Sequence, residues 1–132
     1  MKKFFVVLGL LMVLSMALVA CGGSSAATGN TVKVTLSDFA FDPSTISVSA
    51  GQVVNITLTN TGNVDHNFVV LSKPVNGSFT DADKANIIWQ KDVAKGQTVT
   101  DKFTAPAAGE YQVVCAVPGH IESGMVAKLV SK

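Results

Sequence analysis

Apolar and polar residues alternate with a period of two through most of the chain beyond residue 31, and that spacing leaves little room for anything but strands. Val32, Val34 and Leu36 form one such series, Ile46 and Val48 a second, and Val54, Ile56 and Leu58 a third. His66-Asn-Phe-Val-Val-Leu71 continues in the same style; nearer the C-terminus come Tyr111, Val113 and Cys115, then Met125, Ala127 and Leu129. Successive side chains of a strand point to opposite faces, so each series is the inward edge of a half-buried strand. Turn chemistry separates the runs at Asp42-Pro43, Ala50-Gly51, Asn60-Thr-Gly62, Lys95-Gly96, Pro106 to Gly109 and Pro118-Gly119. Seven or eight short strands punctuated in this way predict an all-β fold, a sandwich or barrel with Greek-key connections. Only the stretch from Lys73 to Lys91 breaks the rhythm. Its Thr80-Asp-Ala-Asp83 start has the form of a helix N-cap followed by acidic residues, which predicts a short helix with Ala82, Ala85 and Trp89 on its inner face. Trp89 reads as a core residue in preference to an electron relay, because a lone Trp usually packs.

The N-terminus reads as a separate unit. Lys2 and Lys3 precede an uncharged run from Phe4 to Ala20, and Leu18-Val19-Ala20-Cys21 then resembles the lipobox of bacterial lipoproteins. That resemblance implies cleavage after residue 20 and lipidation of Cys21, with an uncleaved signal anchor as the competing reading, since 17 uncharged residues approach the length of a membrane span. Residues 22–30, Gly-Gly-Ser-Ser-Ala-Ala-Thr-Gly-Asn, have nothing to bury and predict a flexible tether reaching about 15–18 Å. Residues 31–132 are left as one domain, about 110 residues with the tether included, enough for a single core.

Charge and cysteine content exclude several functions. Without Lys2 and Lys3, eight Lys face nine acidic residues, and the chain has no Arg, so neither a nucleic-acid surface nor a bidentate phosphate clamp is expected. With Cys21 committed to a lipid, Cys115 has no disulfide partner, and an exported thiol near His and Met is better explained as a metal ligand.

The run Cys115-Ala-Val-Pro-Gly-His120-Ile-Glu-Ser-Gly-Met125 contains that thiol, one of the chain's two histidines and a methionine; the other histidine is His66. Two imidazoles, one thiolate and a weak axial thioether make up the ligand set of type 1 copper, a centre for one-electron transfer. Soft sulfur suits Cu(I) and nitrogen suits Cu(II), so a rigid mixed site serves both with little rearrangement. Each residue alone has an ordinary structural reading: a buried Cys packs as a small hydrophobe, and a Met at a strand start belongs to a core. Their joint occurrence at this spacing favours ligation. Pro118, Gly119 and Gly124 supply the turn and return that bring Cys115, His120 and Met125 to one end of the sandwich.

These residues resemble the cupredoxins, the small blue copper proteins, over nearly the whole chain after the tether. Phe39-Ala-Phe41-Asp-Pro43 with Ile46, Val48 and Gly51 is similar to the N-terminal strands of that family, and Thr104-Ala-Pro106 to Gly109-Glu-Tyr111 to its approach to the copper Cys. The gap from His66 to Cys115 is similar to that of plastocyanin, and the Cys-x4-His-x4-Met loop to that of auracyanin and rusticyanin. The azurin-type axial carbonyl comes from a Gly before the first His; Asp65 stands there in this chain. The resemblance implies copper held by His66, Cys115, His120 and Met125. It makes Asn67 a hydrogen-bonding neighbour of the sulfur and His120 the exposed ligand, within a docking patch that includes Val117, Pro118 and Ile121. It also implies a monomeric, extracytoplasmic carrier, held at the membrane by its lipid, that exchanges electrons with redox proteins such as cytochromes, a reaction centre or a terminal oxidase. A copper chaperone or storage module is the rival reading with the same ligands. An enzyme is not expected, because a binuclear centre needs a second loop Cys and a trinuclear cluster needs more than two His.

Overall fold

Strand by strand, the alternation in the sequence becomes alternating burial. The computed structural model describes residues 30–132, and the expected leader, lipidation site at Cys21 and tether fall on residues 1–29, outside the described residues. The strands are β1 (Asn30–Ser37), β2 (Ala40–Asp42), β3 (Thr45–Val48), β4 (Val53–Asn60), β5 (His66–Leu71), β6 (Ile87–Val93), β7 (Thr98–Thr104), β8 (Gly109–Val114) and β9 (Val126–Ser131). Val32, Val34 and Leu36 of β1 and Val54, Ile56 and Leu58 of β4 are buried, whereas their neighbours Lys33 and Thr57 face outward or half-outward. Each such side chain contributes about 1.5–3 kcal/mol when removed from water, so the period of two decides which face turns inward.

Two sheets form, ordered β2-β1-β4-β7 and β3-β9-β8-β5-β6. Both are mixed: β1 runs parallel to β4 and β3 parallel to β9, the other pairs antiparallel. The chain changes sheets repeatedly, and two of these changes, β2 to β3 and β6 to β7, run from an edge strand of one sheet to an edge strand of the other. An ion pair of Lys91 on β6 with Asp101 on β7, 2.7 Å apart, ties the second of these edges. Aromatic rings cross the interior: Phe41 meets Phe68 edge-on at 5.5 Å, Phe68 meets Trp89 at 6.2 Å, and Trp89 stacks on Phe103 at 4.8 Å. Since Phe41 and Phe103 belong to one sheet and Phe68 and Trp89 to the other, these contacts join the layers.

Several expectations change in detail. Nine strands form, because residues 40–48 divide between the sheets at Asp42-Pro43, and β1 already begins at Asn30, which the sequence assigned to the tether. The helix exists, but as a 3₁₀ segment over Asp81–Asn86 with Thr80 as N-cap and no buried residue, so Ala82 and Ala85 line no inner face. Asp83 accepts hydrogen bonds from the Thr80 N–H and hydroxyl at 2.8 and 2.6 Å. Trp89 lies beyond it on β6, packed against the main core as the core reading predicts.

Candidate metal centre

The site grows from the end of the β5–β8 ladder. These strands pair antiparallel from Leu71↔Gln112 to Val69↔Val114, and just past that last pair come Asn67 and His66 on one side and Cys115 and Ala116 on the other. There the side chains take over from the backbone: Asn67 Oδ1 accepts from the Ala116 N–H at 2.7 Å, and the Asn67 N–H donates to Cys115 Sγ at 3.5 Å. Cys115 donates its own N–H to the Met125 carbonyl at 3.2 Å, and the Met125 N–H returns to the His120 carbonyl at 2.9 Å. The loop from Cys115 to Met125 is thereby closed on itself, with Gly119 at φ +84° and Gly124 at φ +95° making its turns. Cys115 and Met125 are fully buried, and His66 is 2 % exposed.

Three donor atoms converge. His66 Nδ1 and His120 Nδ1 are 3.2 Å apart, and Cys115 Sγ lies 3.3 Å from His120 Nδ1 and 3.8 Å from His66 Nδ1. A triangle with these sides has a centre about 2.0 Å from each corner, close to the length of a bond from an imidazole nitrogen to a metal. Two nitrogens and one sulfur facing a common centre, with Met125 buried beside them, fit a soft or borderline cation better than a hard one. The local electrostatics also favour a cation. Burial pushes the Cys115 thiol above its ordinary range, with a further upward push from Asp92, against the opposing N–H groups of Asn67 and Val117. Burial, and then the neighbouring His66, push His120 below the ordinary imidazole range. A site that disfavours both a bare thiolate and an imidazolium is one in which a metal ion can replace the protons.

The imidazoles are backed by residues that the sequence did not single out for the site. His66 Nε2 faces Asp38 Oδ1 at 3.3 Å, and because a carboxylate can only accept, this contact favours a proton on Nε2 and turns Nδ1 toward the other donors. Asp38 sits in the two-residue turn between β1 and β2, and Phe39 beside it, at φ +65°, sets its ring edge-on to His120 with centroids 5.3 Å apart. Buried Asn60 holds the neighbouring loop by donating to the Val64 and Val93 carbonyls, both at 2.9 Å, and accepting from the Gly62 N–H at 2.9 Å. In the sequence Asn60-Thr-Gly62 carried only a turn signal, and nothing in the spacing joins Asp38 to His66 across 28 positions.

The surface around the site differs from the expected patch. His120 is only 8 % exposed, under Phe39, and Ile121 is buried with Val69, Leu71, Val75 and Val114 in a second cluster. Ile121 points inward because the loop bends down after His120, where the Gly124 N–H meets the Ile121 carbonyl at 2.9 Å. Val117 is half-buried and Pro118 exposed, and the exposed apolar residues beside the site include Phe39, whose ring meets His120, Val64, two positions before His66, and Val126, next to Met125.

Comparison with known proteins agrees with this geometry. The sequence model of the cupredoxin-like domain family matches residues 10–127. This chain belongs to that family. Auracyanin-A of Chloroflexus aurantiacus is 35% identical over 143 residues, covering 86% of this cupredoxin and 88% of the relative. The solved structure of auracyanin A, described as a blue copper protein, superposes with a TM-score of 0.63 over 77% of this chain and 99% of its own. Reduced auracyanin of Roseiflexus castenholzii superposes at 0.67 with 27% identity, covering 79% and 98%. The copper-resistant cuproprotein CopI of Rubrivivax gelatinosus is 32% identical over 115 residues, 82% of this chain and 70% of the relative.

Proposed function

We propose that this cupredoxin is a one-electron carrier with a single type 1 copper ion, bound by His66 Nδ1, His120 Nδ1 and Cys115 Sγ with Met125 as the weak axial ligand. The observation that carries this reading is the donor triangle, closed to bonding distance of one centre without rearrangement. Bound copper would supply the one-electron couple. The chain supplies rigidity: the loop is hydrogen-bonded from Cys115 to Met125, Asn67 braces its start, and each imidazole is backed by a turn residue. A site that cannot relax toward either oxidation state keeps reorganisation small. The relation to auracyanin supports the same reading.

The test is a Cu(II) titration of residues 22–132 followed by visible and EPR spectroscopy. An intense red-region absorption band with narrow copper hyperfine splitting, reversibly bleached by a reductant, is expected. A Cys115 thiol that stays freely titratable with no such band would overturn the reading.

A second reading, copper sequestration, draws on the relation to CopI. It requires copper to leave readily, and the buried, braced donors oppose that. Fast copper loss to a modest chelator together with slow electron exchange would favour it. We place the carrier outside the cytoplasm, tethered by lipid on Cys21, with redox proteins as partners. Cys21→Ser should release it from membranes or leave it unprocessed, and an unchanged lipid-modified mass would count against the anchor.

A further inference from the structure

We propose that Asp38 is the positioning residue of the metal site, its carboxylate holding His66 in the tautomer that leaves Nδ1 free and its negative charge raising the preference for Cu(II) over Cu(I). This deepens the copper reading above and rests on it.

Three observations converge on the β1–β2 turn. First, its backbone is held in a costly form: Phe39 at φ +65° is a bulky residue in the left-handed region, where an L-residue loses about 1–2 kcal/mol. Such strain persists where the surroundings over-determine it, and it collects at functional sites. Here the turn contacts both ligand rings, Asp38 on His66 and Phe39 on His120. Second, the carboxylate is aimed. Asn63 donates its backbone N–H to Oδ1 at 2.8 Å and its amide to Oδ2 at 2.7 Å, so Asp38 cannot swing away from His66. Third, the adjacent loop leaves room for this contact and no more. A Cβ on Gly62 would lie 2.5 Å from Asp38 Oδ1 and 2.7 Å from His66 Nε2, so only glycine lets the two meet. The His66 side chain is wholly buried while that of Asp38 is 35% exposed, so the carboxylate stays hydrated on one side and grips the ring with the other. A hydrogen-bonded anion behind an imidazole makes it a stronger donor, and negative charge near the metal stabilises the more highly charged ion; both effects favour Cu(II).

The experiment compares wild type with Asp38→Asn, Asp38→Ala and Gly62→Ala at one fixed pH. It reads the His66 tautomer by ¹⁵N NMR in the metal-free protein, then Cu(II) affinity and midpoint potential in the copper form. Asp38→Asn keeps an acceptor for Nε2–H, with the Asn63 amide turned over to match. It should preserve the tautomer while lowering the Cu(II)/Cu(I) affinity ratio about three- to tenfold, a rise in potential of up to about 59 mV for one electron. Asp38→Ala should lose the fixed tautomer and about ten- to a hundredfold in Cu(II) affinity. Gly62→Ala keeps the charge and breaks the contact, so it should disturb the tautomer with a smaller change in potential. If Asp38→Ala fails to fold, the other two variants still separate charge from contact. A wild-type tautomer and potential in every variant that folds would overturn the proposal. Absence of a blue band in the wild type would instead sink the copper reading and the redox half of this one, while the tautomer would still report the Asp38–His66 contact.

Discussion

Asn67 shows how one side chain can do the work of a strand. Where the β5–β8 ladder stops at Val69↔Val114, its Oδ1 takes the Ala116 N–H that a longer ladder would have paired, and its N–H meets the sulfur of Cys115. Asn67→Ala leaves the Ala116 N–H without its acceptor, at a cost of about 1–3 kcal/mol. We expect a lower denaturation midpoint for the metal-free protein and a shifted sulfur-to-copper absorption band in the copper form. Chemical denaturation and visible spectroscopy on the same samples check both, and a variant matching wild type in each would remove Asn67 from the site. The four residues proposed as copper ligands stood out in the sequence because His, Cys and Met are scarce in it and their chemistry is narrow. Asp38 and Gly62 were not, since an Asp and a Gly in turns are ordinary, and what makes them matter is a contact between distant loops.

At the scale of the element, the ligand loop is a chain of turns whose shape depends on backbone angles. Gly124 has φ +95° and open space where a Cβ would be, so any penalty there is conformational and not a collision. Gly124→Ala should therefore cost about 1 kcal/mol or somewhat more, read as a fall of about 4–8 °C per kcal/mol in the midpoint of a domain this size. Thermal unfolding measures it, and an unchanged midpoint would mean that the loop adopts a different turn. The 72–86 segment was the least legible element. Its pattern signalled a helix start at Thr80, which is present, but the element is one 3₁₀ stretch before Ile87 begins a strand. The segment is fastened by contacts that leave no local sequence trace. The Gln112 side chain accepts from the Val75 N–H at 2.7 Å and donates to its carbonyl at 3.1 Å, and the Ser78 hydroxyl donates to Glu122 in the ligand loop.

For the molecule as a whole, stability and site chemistry are linked, because the site lies in the sandwich core. His120 is held below the ordinary imidazole value by burial and by His66, with Asp38 opposing. Its unfolded form takes up a proton first, so the metal-free protein should keep full stability above about pH 6.5 and lose it as pH falls toward the depressed folded value. The Cys115 thiol is raised, so its contribution is complete below the unfolded thiol value of about 8.5 and fades as pH rises through the folded one. Denaturation midpoints of the metal-free protein across pH 5 to 10 should thus show a plateau between those limits, and Cys115→Ser should remove its alkaline edge. Copper binds only the folded arrangement, so free copper a thousandfold above Kd should add about 4 kcal/mol of stability, reversed by a chelator. Equal midpoints with and without copper would contradict that linkage. By itself the sequence determined the all-β class, the inward face of each main strand and the residues proposed as donors. Those follow from side-chain alternation and from donor chemistry, which are local properties. The tertiary structure alone decided which strands are neighbours, that His66 meets Cys115 and His120 around one centre, that Ile121 turns inward while Phe39 covers His120, and that Asp38 stands behind His66. Each of these joins residues far apart in the chain: the pairing of β5 with β8 inside one sheet brings His66 to Cys115, and the packing of the other sheet against it sets Asp38 and Phe39 on the two imidazoles.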